Sequence, residues 1–405
     1  MHPRMALSNL RHPVTTEQHA DLAIVGGGIA GLWTLRRVLA AGYNAVLFEA
    51  ADLGGIQSLA SQGMIHGGLK YALAGLLSPA SEAIATMPLR WRACMEGKGD
   101  VDLSGLSVAS DRYYLFAADN TLGKLTTFFA SRSLRGRVRK LSVSTYPAAF
   151  SEFTGVVYEL DDFVIDVPTL VRRLASPVMH RIYQLNVDDR CCRLEDEHVV
   201  INTGAHDLHV HRLVNCAGAG AGGLAQSLLP GRFPMQLRPL HQVLVDTDIT
   251  APLFAHCLTR ISRAEPRLTV TTHEVGGRPI LYLGGQLATS GVNRSVTEQI
   301  EYTRSELADC LPWISTKNAR ISTLRIDRAE PAQTAGTRPD QAFVEQEGAW
   351  LQAWPTKLTL TPDLGDRVLA LLPAPQGGAA PTLDLPTPAF GNPPWAINPP
   401  WATGP

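Results

Sequence analysis

Asp21-Leu-Ala-Ile-Val-Gly-Gly-Gly-Ile-Ala-Gly31, with the amphipathic stretch from Leu32 to Ala41 and Asn44-Ala-Val-Leu-Phe-Glu49 behind it, decides the fold of this 405-residue chain. Leu22–Val25 is a short apolar run of strand type. It ends in Gly26-x-Gly28-x-x-Gly31 at the start of a helix, Gly42 supplies the helix stop, and Ala45–Phe48 forms a second apolar strand closing on Glu49. Each part answers a physical need of a bound dinucleotide. Gly26 permits the tight turn, Gly28 lets backbone approach a pyrophosphate, and Gly31 allows close packing of helix on sheet. Ile29 and Ala30 open the helix, whose free N–H groups and positive dipole end face the phosphates. Glu49, with Ala50 beside it, is placed to accept hydrogen bonds from a ribose diol. No Arg follows Glu49 to take a ribose phosphate, which disfavours an NADP-type site. This stretch alone leaves FAD and NAD both open.

The length suffices for two domains and a large core. With 45% apolar residues and a net charge of −1, the chain carries no general field to recruit nucleic acid or an anionic membrane. The basic cluster Arg132, Arg135, Arg137, Arg139 and Lys140 has no interleaved aromatics and reads as a solvated face. None of the six cysteines forms a C-x-x-C pair, so no metal centre is expected. Residues 1–19 lack the apolar core of a secretory signal, and no apolar run reaches 18 residues. A cytoplasmic protein with reduced thiols, monomeric and without an integral membrane segment, is the expectation.

Downstream, Leu53–Lys70 is rich in glycine, polar at Gln57, Ser58, Ser61, Gln62 and His66, and interleaved with Ile56, Leu59, Met64, Ile65 and Leu69. Buried irregular backbone of this kind needs partners for its polar groups. A helix is expected over Glu82–Met95 with an interruption at Pro88. Strands are expected at Ser107–Ala109, Tyr113–Phe116, Val138–Ser144 and Val156–Leu160, and a helix capped by Asp166 follows. After it come short strands, Arg181–Val187 among them, then Leu213-Val-Asn-Cys216-Ala217-Gly218. Further strands follow at Leu240–Asp246, Leu268–Thr272 and Ile280–Leu283, and a helix at Thr297–Cys310. Pro373–Pro405 holds ten prolines, so a polyproline-like tail is expected, pinned to the body by Trp395 and Trp401.

The segment Ser61-Gln62-Gly63-Met64-Ile-His66-Gly-Gly-Leu-Lys-Tyr71 resembles the flavin-contacting segment of the D-amino acid oxidase family. It is similar to the Ile-His-Gly-Gly-Leu pattern of FAD-dependent glycerol-3-phosphate dehydrogenases and to the corresponding piece of L-2-hydroxyglutarate oxidases. Leu213–Gly218 resembles the Val-x-Asn-Ala-Ala-Gly signature closing the family's FAD domain. Pro279-Ile-Leu-Tyr282-Leu-Gly-Gly285 resembles its active-site strand and glycine turn. Trp354-Pro-Thr-Lys357-Leu358-Thr359 resembles the Gly-Lys-Leu-Thr-Thr segment that returns to the flavin's pyrimidine end, although Leu360-Thr-Pro replaces the rest of that motif.

The resemblance implies FAD as cofactor and an α/β fold: a Rossmann-like FAD-binding domain plus a second, mixed β-sheet domain with helices on one face. The FAD domain is expected in residues 18–100, 160–230 and 320–372, and the substrate domain in 101–159 and 231–319. The resemblance further implies backbone contacts to adenine near Val187, cofactor contacts at Cys216, Ala217 and Gly218, and a substrate-anchoring arginine at Arg328 or Arg338. Tyr282 is a candidate on the substrate side. His66 either contacts the ring and moves a proton or holds its own loop. The expected reaction is oxidation of a small amine or amino acid by hydride transfer to flavin. Oxidation of a 2-hydroxy acid or polyol phosphate, or a flavin-binding protein with vestigial activity, are the alternatives.

Overall fold

The computed structural model describes residues 16–68, 84–117, 138–259, 265–333, 341–397 and 400–402. Arg338, Leu69–Tyr71 of the glycine-rich segment, and Arg132, Arg135 and Arg137 lie outside them.

Strand β1 (Thr16–Val25), helix α1 (Ile29–Ala40) and β2 (Ala45–Glu49) form the expected crossing. The sheet built on it runs in the order Cys192–Leu194, Val199–Asn202, His206–Asn215, β1, β2, Ile182–Gln184. A hairpin of Phe343–Glu347 and Trp350–Trp354 joins it through His206–Asn215. Its central pairs are parallel, and β1 is buried from Ala20 to Val25. Burial on both faces explains why these strands read as continuous apolar runs rather than as alternation. Helix α1 packs against Thr361–Leu371, and the Trp33 and Trp91 rings meet at 4.9 Å.

A second sheet of eight strands runs Arg320–Pro331, Met235–Asp246, Arg278–Gly284, Leu268–Val275, Ala255–Leu258, Tyr113–Ala117, Val157–Leu160, Val138–Lys140. Neighbouring pairs are antiparallel except Ala255–Leu258 with Tyr113–Ala117. Side chains alternate between faces along each strand. Val243, Val245, Leu281 and Leu283 join Leu307 of the helix Val296–Cys310 in one core. That helix starts on a capping box of Ser295 and Glu298. The opposite parity, which includes Leu240, Gln242, Gly284 and Thr269, faces a cavity shared with the end of β1. A small third sheet of Met64–Ile65, Phe163–Ile165 and Val108–Ser110 ties the glycine-rich segment to the body.

Three expectations change. Residues 320–331, expected in the FAD domain, pair along their whole length with Met235–Asp246 and belong to the second sheet. The interruption expected at Pro88 falls at Thr86, between helical residues 84–85 and the helix Met87–Met95, and Pro88 sits in the first turn of the latter, where its missing N–H costs nothing. The strand expected over Val138–Ser144 ends at Lys140 and gives way to a 3₁₀ turn. The exposed Arg139 there pairs with Glu159 at 3.0 Å, as a solvated face would.

Candidate flavin site

At the end of β1 the chain turns through Gly26 at φ +106°, a conformation side chains rarely adopt. A Cβ at Gly31 would lie 1.9 Å from the Gly26 carbonyl oxygen, so helix and strand approach as closely as glycine allows. Gly28 differs: it caps α1 in an extended conformation, and a Cβ there would meet only Ser58 Oγ, at 3.1 Å. Ile29 N–H donates to that Ser58 hydroxyl at 3.0 Å. The Glu49 carboxylate accepts from Gly27 N–H at 2.5 Å and from Ala51 N–H at 2.9 Å, which leaves acceptor capacity on both oxygens.

From this crossing a continuous cavity of about 1110 Å³ extends between the two sheets. Its nucleotide end is walled by Gly26, Gly28, Ile29, Ala30, Glu49, Ala50, Gln57 and Ser58, by Val187, and by Cys216, Ala217 and Gly218. Leu185 N–H donates to the Glu49 carbonyl, which brings the segment from Leu185 to Val187 alongside β2. Burial pushes the Cys216 thiol up to about 12, so it is a neutral packing group. Behind it the fully buried Asn215 amide donates to Ala221 O and Gln352 Oε1, each at 3.0 Å. Sequence reading had not singled out this Asn215–Gln352 pair, because the register of Trp350–Trp354 on His206–Asn215 creates it.

Ser61, Gln62, Gly63, Met64 and His66 all reach the cavity wall. Gln57 Oε1 accepts from Ala329 N–H at 3.0 Å. Gln62 Nε2 donates to Thr269 O at 3.1 Å and Tyr282 O at 3.0 Å. Both glutamines thus tie the segment to the second sheet. His66 Nδ1 accepts from Gly68 N–H at 3.2 Å and its carbonyl accepts from Thr359 Oγ1 at 3.1 Å. An accepting Nδ1 places the proton of the neutral ring on Nε2. Asp162, an unanticipated wall residue, is buried and accepts from Gly67 N–H at 2.8 Å.

The second sheet contributes Arg325, Ile326, Arg328, Leu240, Gln242, Gly284, Thr269, His256, Leu258, Leu115 and Leu160 to the wall. Of the two arginines weighed for substrate anchoring, Arg328 is therefore on the cavity. Its Nε donates to Arg238 O at 3.4 Å. Gln242, Thr269 and His256 were missed, since no short motif marks them. Their strand parity was the available signal, but only the sheet pairing says which parity faces the cavity. His256 Nδ1 and Thr269 Oγ1 lie 3.1 Å apart.

Tyr282 and Thr359 are corrections. Tyr282 is fully buried and outside the wall; its hydroxyl bonds Ala60 O at 2.9 Å and also contacts Gln242 Oε1. Thr359 is fully buried with its hydroxyl on His66 O, while Trp91 Nε1 donates to its carbonyl at 3.1 Å. Lys357 and Leu358 do line the cavity, and Lys357 is only 5% exposed. Just before it Thr356 holds φ +61°, with Lys357 N–H on Pro355 O at 2.6 Å in the manner of a γ-turn. A β-branched residue in that region is strained, and such strain persists where the surroundings fix it.

A βαβ crossing whose glycine turn leaves bare backbone at the mouth of α1, joined through one cleft to a largely antiparallel sheet, is the arrangement of a two-domain dinucleotide-dependent oxidoreductase. The family model for FAD dependent oxidoreductases of the DAO type matches residues 21–356, and the chain belongs to that family. A probable FAD-dependent oxidoreductase of Pseudomonas aeruginosa is 45% identical over 388 residues, covering 93% of this chain and 97% of that protein. Its crystal structure matches with a TM-score of 0.79 at 39% identity, over 95% of this chain and 99% of the other. Glycine oxidase from Geobacillus kaustophilus gives a TM-score of 0.62 at 16% identity, over 87% of this chain and 94% of that one. L-α-glycerophosphate oxidase from Mycoplasma pneumoniae, solved with FAD bound, gives 0.60 at 15%, over 95% of this chain and all of that one. The enzyme is an FAD-dependent oxidoreductase, and the bare glycine crossing, the Glu49 carboxylate and the cavity volume fit that cofactor. No helix among the described residues is long and apolar enough to cross a membrane.

Proposed function

We propose that the enzyme oxidises the C–N bond of a small amine or amino acid, with Arg328 anchoring the substrate's carboxylate. Bound FAD supplies the hydride acceptor. The observation that carries this reading is a guanidinium on the cavity wall of the second sheet, on the strand paired with that of Gln242 and four residues along from Leu324, which faces Gln242. An arginine fork matches a carboxylate with two parallel hydrogen bonds. Leu115, Leu160, Leu258 and Ile326 supply apolar wall that excludes water from the reacting carbon. Hydride departure from that carbon requires an unprotonated nitrogen lone pair. His66 is poorly disposed to take the proton through Nδ1, which already accepts from Gly68, so it serves to hold its loop. The fold likeness to glycine oxidase supports the amine reading; that to a glycerophosphate oxidase supports the alternative of a hydroxyl substrate.

Anaerobic mixing of the holoenzyme with panels of amines, amino acids, 2-hydroxy acids and glycerol phosphate tests this by loss of flavin absorbance. Bleaching by an amine or amino acid is the expected result. Bleaching by hydroxy acids or glycerol phosphate alone would replace the proposal with the alternative, and no bleaching by any panel would favour a vestigial flavoprotein. With the active amino acid, Arg328→Met should raise KM about 100-fold and change kcat far less, because two charged hydrogen bonds are lost from substrate and transition state alike. An unchanged KM would remove Arg328 from the anchoring role.

A further inference from the structure

The C-terminal proline-rich segment is laid along the body rather than trailing from it. Tyr43 Oη donates to Pro373 O at 2.6 Å. The Asp21 carboxylate accepts from Gln376 and Gly377 N–H, each at 3.2 Å, and Asn44 Nδ2 donates to Ala379 O at 2.7 Å. Tyr183 Oη then donates to Pro381 O at 3.1 Å and Gln184 N–H to Pro386 O at 2.7 Å. Leu53 follows: its N–H donates to Ala389 O at 2.7 Å and its carbonyl accepts from Gly391 N–H at 2.9 Å. Phe390 lies under the Arg172 guanidinium at 4.7 Å. At the far end Trp395 stacks on His273 at 3.7 Å, and Ala402 pairs with Ile321 by two 2.9 Å hydrogen bonds. The path starts on the first sheet and ends on the second.

Its middle matters for the cofactor. Pro386 holds the strand that leads into Leu185, Asn186 and Val187, one wall at the nucleotide end of the cavity. Ala389 and Gly391 hold Leu53, behind Gly54, Gly55, Ile56 and Gln57 of the facing wall. Leu53 packs on the phosphate turn itself, for a Cβ at Gly27 would lie 2.6 Å from Leu53 Cδ2, and Gly54 N–H donates to Gly27 O at 2.8 Å. Three residues of this six-residue extended segment, Pro386, Ala389 and Gly391, therefore hydrogen-bond to Gln184 and Leu53, the residues that lead into the two walls. We propose that Pro386–Gly391 is a clamp that retains FAD, with Phe390 and Gly391 as positioning residues for the Leu53–Ser58 wall. Separating the walls to release the nucleotide breaks these hydrogen bonds, so the clamp slows dissociation without touching the cofactor.

Gly391→Val in the full-length holoenzyme tests this. A Cβ at position 391 would lie 2.8 Å from Leu59 Cδ1 and 3.0 Å from Leu53 O, which forces the segment off its wall. The appearance of free-flavin fluorescence after dilution should accelerate about tenfold or more, the consequence of losing two backbone hydrogen bonds. The rise in Tm that added FAD confers should shrink as well, because that rise reports affinity. An unchanged release rate, with holoprotein and apoprotein Tm falling by equal amounts, would overturn the clamp and leave the segment a general stabiliser. Phe390→Ala is read by the same two measurements and decides the matter if the valine variant does not fold.

Discussion

A Gly28→Val variant is expected to fold and to emerge colourless. Position 28 has φ −75° and ψ −175°, ordinary extended backbone for any L-residue. The only protein atom that its Cβ would crowd is the Ser58 hydroxyl at 3.1 Å, so the protein itself makes little objection. Valine is a poorer N-cap than glycine by roughly 1 kcal/mol, which a chain of this size tolerates. The cofactor does not tolerate it. Amides at a helix N-terminus bind phosphate oxygens at about 2.9 Å, and two methyl groups at the mouth of α1 hold a pyrophosphate beyond that reach. FAD affinity should fall at least about 100-fold. Flavin fluorescence titration measures the affinity, and far-UV circular dichroism checks the fold. Stoichiometric FAD retained on purification would show that the pyrophosphate does not lie against Gly28. Gly31→Val supplies the contrast: with its Cβ 1.9 Å from Gly26 O, it should lose the fold and the flavin together.

That contrast shows why this part of the molecule was legible in the sequence. Strand, glycine turn, helix and acid-terminated strand are contiguous, and each step answers a local constraint, so order in the chain is order in space. The substrate side is assembled from distant strands instead. Gln242, Thr269 and His256 come together only because Met235–Asp246, Leu268–Val275 and Ala255–Leu258 share a sheet, and no local pattern encodes that pairing. Tyr282 shows the further limit of parity. It lies on the same face as Gly284, yet Trp395 of the C-terminal segment covers it with ring centroids 5.4 Å apart, so it supports Gln242 from outside the cavity. Thr359 fails for a different reason. Residues 358–360 form a 3₁₀ turn, whose side chains point about 120° apart, so Leu358 faces the cavity while Thr359 turns toward His66. The proline-rich tail was legible as extended chain from composition. Its course was not, because Asp21, Leu53, Gln184 and Ile321 that hold it are scattered over three hundred residues.

Lys357→Met should lower the flavin's two-electron reduction potential by roughly 40–70 mV. Lys357 stands on the cavity wall with little access to water, in a loop whose turn at Thr356 is held in a strained left-handed conformation. Thr356 Oγ1 donates to Gln341 O at 2.9 Å, and Trp91 fixes Thr359 from the other side, so the loop cannot relax to carry the lysine elsewhere. The resemblance of Trp354–Thr359 to the segment returning to the flavin's pyrimidine end implies that the lysine's ammonium lies at that edge, where two-electron reduction builds negative charge. One unit charge about 5–8 Å away at an effective dielectric of about 20 contributes roughly 2–3 kcal/mol. For a two-electron couple about 1.4 kcal/mol corresponds to 30 mV, which sets the expected range. Methionine keeps the length and apolar stem while removing the charge, so FAD retention should change little. Equilibration with a dye of known potential measures the shift. An unchanged potential in a variant that still holds FAD would place Lys357 too far from the ring to act on it, and a rise would mean that the lysine's partners, rather than its own charge, dominate the field there.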